Sequence, residues 1–418
     1  MIQGFYSGIS GIRAHQTAID VTADNIANLQ TIGFRSYTSE FAALFHKAQN
    51  TTSWESSVDS TVGVGTRVQA TGMNLAQGNV VQSSNNTDLA IVGDGWFGIQ
   101  GYDETYFTRA GNFTFDSNRD LVTPEGMYVL GTIGKNIDVA NGVLLQELED
   151  VPLANVEQQE KIQLPETLSY PAKPTSNVDF FGNIGTQNVP QSISALAIDG
   201  EGNKNTIKLL FKQADPQPDV GILWDITATV SQGDQILSTQ NGQVLFDEKG
   251  ALVSNTLTQV NNNGTPVTIN LGTGYDGVIS AANIPITGSS KADGFEGGEL
   301  VGYEINQNAE VIATFSNGRQ SAVAQIALYH FQNDQGLDRI SGTLFQQSSN
   351  SGKAFFFQND QGENILGTKV MNYALESANL NLEDGLTELI IYQRAYDANA
   401  KSITTADQMI QKALNMDA

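Results

Sequence analysis

Apolar residues recur at helical spacing at both ends of this chain, and the texture between the ends is entirely different. Ile2, Phe5, Ile9, Ile12, Ile19, Ala23 and Ile26 fall alternately three and four apart, with Gln16 breaking the series. That spacing lays one apolar seam along a helix. At the far end Leu375, Leu382, Leu389, Tyr396, Ile403 and Ile410 recur every seventh residue, accompanied by Ala378, Tyr392, Ala406 and Ala413. A long amphipathic helix is therefore expected at each terminus. One such helix would ordinarily pack on its own domain, whereas one at each extreme end points to a shared role.

Between the helices, short apolar stretches such as Asp88–Val92, Tyr128–Leu130, Gly221–Trp224 and Ala324–Tyr329 are bounded by Gly, Asn, Asp and Ser. They read as β-strands joined by turns, because Asn and Gly tolerate the positive φ of tight hairpins. Residues 31–72 show little periodicity and read as an extended connector. Prolines 152, 165, 171 and 174 mark a linker or sheet edge. The expected organisation is mainly β and nested. Residues 1–30 and 373–418 form a terminal helical coiled-coil pair, and 73–150 with 293–372 form a first β-domain. Residues 151–292 form a second β-domain inserted into it, so that both chain ends meet at one pole.

Length and charge narrow the function. At 418 residues the chain exceeds one compact core. Its 21 Lys and Arg against 45 Asp and Glu give a net charge of -24, which repels nucleic acid and anionic membrane surfaces. Without cysteine, disulfides and thiolate chemistry are excluded. The opening residues lack the basic segment and apolar core of a cleaved secretory signal, and no apolar run is long enough to span a bilayer. Such a chain is expected to be cytosolic, or exported by a machine that reads an uncleaved N-terminus.

Motifs that could carry chemistry fail on their context. Gly93-Asp-Gly95-Trp-Phe-Gly98 has dinucleotide-binding spacing, but no helix follows to present amides to a pyrophosphate. Asp116 to Asp120 opens like a calcium loop, yet Leu121 and Met127 stand where Gly and Glu are needed. His15, His46 and His330 are isolated and read as surface or packing residues. The expectation is a non-catalytic protein without metal or cofactor; a carboxylate pair assembled in space, as in a secreted carbohydrate-active β-protein, is the alternative from another class.

Several ordered segments resemble bacterial flagellar rod and hook proteins. At the start these are Ser7 to Arg13, Asp24-Asn25-Ile-Ala-Asn28 and Thr31-Ile-Gly33-Phe34-Arg35. The first β-domain contributes Asp88 to Phe97, Phe107-Thr-Arg109-Ala-Gly-Asn-Phe113 and Asp120 to Gly126. The closing signature is matched by Leu375-Glu376-Ser-Ala-Asn-Leu380, Gln393-Arg394-Ala-Tyr396-Asp-Ala-Asn399-Ala-Lys401 and Thr404 to Met409. The large insert resembles hook rather than rod members, as do Phe295 to Leu300, Phe315 to Arg319, Val323 to Ala327 and Phe331 to Leu337. Residues 46–61 depart from the shorter hook pattern as an added segment.

The resemblance implies a subunit that self-assembles through its terminal helices into a curved, flexible tube transmitting torque from rod to filament. The implied partners are copies of itself, the rod, the hook cap, the hook–filament junction proteins and the flagellar export apparatus. A distal rod protein, forming a stiff straight tube, is the nearest alternative. The physics of the ends agrees. Six large seam residues contribute about 9–18 kcal/mol if fully buried. Fixing each backbone residue costs about 1–2 kcal/mol, and a lone helix stays marginal in water. The ends are thus expected to order only on assembly, and the acidic charge predicts faster assembly at moderate salt.

Overall fold

The computed structural model describes residues 2–47, 61–101 and 104–416. Helix α1 spans Ile2–Ala27 and helix α2 spans Leu382–Met416. They run antiparallel: Gly8 faces Ile403, Gly11 faces Asn399, and Ile26 lies against Gly385. Among the described residues, the chain between them is built from strands and turns, apart from two single turns of 3-10 helix.

The segment expected to be an extended connector is instead a long antiparallel hairpin. Strand β1 (Tyr37–Lys47) pairs with β2 (Thr61–Met73) from Tyr37 opposite Met73 to Lys47 opposite Thr61. Register shifts after Glu40 and Leu44 break the two-residue alternation that would reveal a strand in the sequence. The hairpin lies along α1, where Ser10 Oγ accepts the Thr66 amide at 3.3 Å and Gly65 (φ +119°) lets the strand pass close to Ser10. Most of the added segment 46–61 lies outside the described residues.

The first β-domain is a mostly antiparallel sheet. Its central order runs through Gly298–Ile305, Glu310–Phe315, Gln320–Ile326, Tyr128–Ile133, Trp96–Gln100, Thr105–Thr108 and Leu344–Gln346. One core holds Trp96, Phe97, Phe113, Phe315 and Phe345 together. Val151, Leu153, Ile162, Leu164, Leu168 and Tyr170 are buried as well, most of them in this core, so the domain continues past residue 150 to about residue 172. The prolines that suggested a linker there are compatible with burial, because the strands they flank are two residues long. The Pro165 carbonyl also accepts the Tyr303 hydroxyl at 2.8 Å.

The inserted domain is a two-sheet sandwich spanning residues 177–292. One sheet is the meander Gln191–Ile198, Lys204–Gln213, Ile222–Gln232, Gln235–Phe246 and Leu252–Asn255. The other is built on Asn177–Asn183, flanked by Thr265–Asn270, Asp276–Ile279 and Thr287–Ala292. In Lys204–Gln213 the residues Ile207, Leu209 and Phe211 point inward against Trp224 and Phe246, while Lys208 and Lys212 face out. This is the strand alternation that packs two sheets face to face. Asp293 ties the entry and exit strands, accepting the Ser176 and Asn177 amides at 2.9 and 3.0 Å.

The rejected motifs have plain structural roles. Gly93 and Gly95 turn the chain between two strands at φ +112° and +125°, and Asp116 to Asp120 is a hairpin turn closed by the Asp116 carboxylate on the Asn118 and Asp120 amides. His330 is buried with Nε2 2.7 Å from the Leu366 carbonyl, and His15 packs between Phe41 and Tyr392. The side chain of His46 lies outside the described residues.

Candidate assembly site

The face of α1 buried in the helix pair is made of small residues: Gly8, Gly11, Ala14, Ala18, Thr22 and Asn25. It lies about one position off the seam expected from the isoleucines. A Cβ on Gly8 would sit 2.7 Å from Ile403 Cγ1, and one on Gly11 would sit 2.5 Å from Asn399 Oδ1. Ile403 and Asn399 of α2 lie directly on α1 at these glycines, so this face of α1 carries small residues and its own branched residues are turned to the flanks. Phe5, Ile9, Ile12, Ile19 and Ile26 are accordingly half-buried and Ala23 is exposed; the side chain of Ile2 lies outside the described residues.

On α2 the residues turned toward α1 include Gly385, Tyr392, Asn399 and Ile403, and Leu389, Tyr396 and Ile410 are half-buried. Leu375 is not on this helix. It belongs to the strand Ala374–Glu376, paired with Val80–Gln82, because the chain must close the β-domain before the helix begins at Leu382. Leu382 itself is exposed, and with Leu386 and Ile390, spaced four residues apart, it forms an open apolar stripe exposed between 42% and 50%; Ile391, 56% exposed, lies on another face of the helix. Arg394 is also exposed.

The polar residues of the terminal motifs fix the helices to what they stand on. The buried Asn25 side chain donates to the Tyr37 carbonyl at 2.7 Å and accepts the Tyr37 amide at 2.9 Å. Asn28 Nδ2 donates to the Asp24 carbonyl at 2.9 Å, near the end of α1. Asn399 Nδ2 donates to the Ala395 carbonyl at 2.8 Å while its side chain packs on Gly11. Gly33, at φ +68°, is required because a Cβ there would run into the backbone of Arg109 and Ala110. Phe34 is fully buried beneath the Arg339 guanidinium, 5.3 Å from its ring centroid.

Sequence reasoning missed the cluster just below the helices. Glu376 lies 3.1 Å from Arg35 and 3.5 Å from Arg109, and all three side chains are buried. Burial lowers both guanidinium pKa values; for Arg109, burial and then the neighbouring Arg35 charge bring it down to about 10. The only signal in the sequence was one charged residue in each of three separate motifs.

The segments that build this architecture of two antiparallel terminal helices, a β-domain and an inserted sandwich match families of flagellar axial proteins. Residues 5–35 match the family described as flagella basal body rod protein, residues 90–203 the flagellar hook protein FlgE/F/G D1 domain, and residues 371–416 the flagellar basal body rod FlgEFG protein C-terminal. The chain belongs to this family of flagellar rod and hook proteins. Its full-length relatives include the flagellar hook protein FlgE of Borreliella burgdorferi, 29% identical over 100% of both chains. Those of Escherichia coli and Salmonella typhimurium are 26% and 27% identical over 99% of both chains. A crystal structure of Helicobacter pylori flagellar hook protein FlgE2 shares the fold with a TM-score of 0.51 at 16% identity, covering 71% of this chain and 100% of that one.

Proposed function

We propose that this chain is the non-catalytic structural subunit of the bacterial flagellar hook, polymerising through its terminal helices into a curved tube that joins rod to filament. The observation that carries the reading is the helix pair. On α1 the contact with α2 uses small residues, and on α2 the apolar stripe of Leu382, Leu386 and Ile390, together with Ile391 on another face, is left open for neighbouring copies. The half-buried Phe5, Ile9, Ile12, Ile19 and Ile26, together with Leu389, Tyr396 and Ile410, flank that contact, Ile403 packs within it on Gly8, and together they complete the polymer seam. The β-domains form the outer layers, where polar, glycine-rich surfaces suit sliding between subunits, whereas a tightly packed apolar interface would lock them. Rod, hook cap, junction proteins and the export apparatus are its partners, and it leaves the cell through that apparatus, with its helices ordering at the growing end.

The test is polymerisation of the purified full chain seeded with hook fragments, imaged by negative-stain electron microscopy beside a variant lacking residues 1–28 and 382–418. Curved tubes from the full chain alone are expected, with helix content by circular dichroism rising on assembly and growth faster at moderate salt. Straight tubes would assign the chain to the distal rod. Absence of any polymer with seeds would overturn the reading.

A further inference from the structure

The buried charge cluster joins three parts of the chain that are far apart in sequence. Arg35 follows α1, Glu376 precedes α2, and Arg109 belongs to the first β-domain. Glu376 uses every acceptor it has: its carboxylate takes the Gly78 amide at 2.8 Å and reaches both guanidiniums, and its main-chain carbonyl takes the Gly33 amide at 2.7 Å. Arg35 also donates to the Ala76 carbonyl. Asn379 adds a second tie, accepting the Ser36 amide at 2.7 Å and donating to the Asn74 and Ala76 carbonyls at 2.7 and 2.8 Å.

The arrangement is asymmetric. Arg109 is presented by the β-domain, its guanidinium 5.5 Å from the centroid of Trp96, whose Nε1 donates to Asp334 at 2.9 Å. Arg109 Nε has no partner among the described residues. If residues 374–379 dock first, Glu376 meets a waiting cation. If residues 33–36 dock first, Arg35 is brought beside Arg109 with only the more distant carboxylates Asp334 and Asp94 to offset the two charges, and among the described residues neither forms an ion pair with either guanidinium. Two like charges out of water repel far more strongly than in solvent.

We propose that the Arg35–Glu376–Arg109 cluster is an ordered interlock: the N-terminal root, residues 31–37, docks on the β-domain only after Glu376 has docked. The roots then stay locked in the free subunit, while α1 and α2 above them order on assembly. An incomplete chain therefore cannot seat its N-terminal root. This goes beyond the polymerisation reading, and its test uses the free full-length chain, so failure to grow tubes has no bearing on it.

The test is amide hydrogen exchange of the two roots in three variants. Glu376→Gln is expected to speed exchange in residues 31–37 about a hundredfold, as befits breaking a buried ion pair. Arg35→Met is expected to leave residues 374–379 protected within about threefold, because Glu376 keeps Arg109. The double variant Arg35→Met with Glu376→Gln distinguishes charge from general damage: removing the second cation should restore much of the protection of residues 31–37. The interlock is overturned if the double variant is worse than Glu376→Gln alone, or if Arg35→Met frees the C-terminal root as fully as Glu376→Gln frees the N-terminal one. Unprotected roots in the unmodified free chain would overturn it too.

Discussion

Asn25 and Tyr37 exchange two hydrogen bonds, side chain to backbone in both directions, at 2.7 and 2.9 Å. Through them the last turns of α1 are pinned to the base of the long hairpin. Asn25→Ala removes both partners and leaves the Tyr37 amide and carbonyl in a partly buried site. Assembled tubes carrying it are expected to lose about 1–3 kcal/mol per subunit. Thermal depolymerisation would read this as a lowered midpoint, and an unchanged midpoint would show that the hairpin is held by other contacts.

The close approach of α1 and α2 makes the consequences of adding a methyl group depend on position. At Gly4 a Cβ meets nothing within 4 Å, so Gly4→Ala should be tolerated, with a slight gain of about 1 kcal/mol from helix propensity. At Gly11 the same atom would sit 2.5 Å from Asn399 Oδ1, so Gly11→Ala should slow or abolish seeded polymerisation. The three nearest obstructing atoms belong to one side chain. Gly11→Ala combined with Asn399→Ala should therefore recover assembly, and failure of the pair would show that the backbones cannot separate at all.

That small-residue contact also explains where the sequence misleads. Two terminal helices, a β interior and an inserted β-domain follow from spacing, turn residues and the family motifs. The inner face of α1 does not, because Gly8, Gly11, Thr22 and Asn25 carry no hydrophobic signal and the isoleucines beside them do. Leu375 fits the heptad spacing by coincidence and is held in a strand by pairing with Val81. The hairpin β1–β2 hides behind two register shifts, which spoil the alternation. The pairing of Arg35 with Glu376 depends on the closed fold, and no local spacing encodes it.

In the inserted domain Asp199 is fully buried. Burial alone would raise its pKa, but hydrogen bonds from Asn263, Asn203 and the Glu201 amide outweigh that and hold it down at about 2. A carboxylate depressed in the folded state contributes stability that is present above its unfolded value of 3.8 and is lost as pH falls toward about 2. Acid titration followed by Trp224 fluorescence should show the sandwich weakening across that window. Asp199→Asn should be less stable at neutral pH and flatter below pH 3.8. An Asp199→Asn variant with the same acid slope would place the sensitivity elsewhere.

The outward face of α2 separates folding from assembly most cleanly. Ile390 is 50% exposed, and helix periodicity puts it on the side of α2 away from the α1 contact at Gly385 and Tyr392. A charge there disturbs no buried partner within the subunit, so Ile390→Glu should leave the thermal unfolding of the two β-domains unchanged. In a polymer the same position would be covered by a neighbouring copy, and an unpaired buried carboxylate costs several kcal/mol. Seeded growth should therefore stop, with the variant remaining soluble and monomeric in sedimentation. Normal tubes from Ile390→Glu would show that this stripe faces the central channel instead, and the flanking seam of Ile9, Ile12 and Ile19 would become the site of contact between copies.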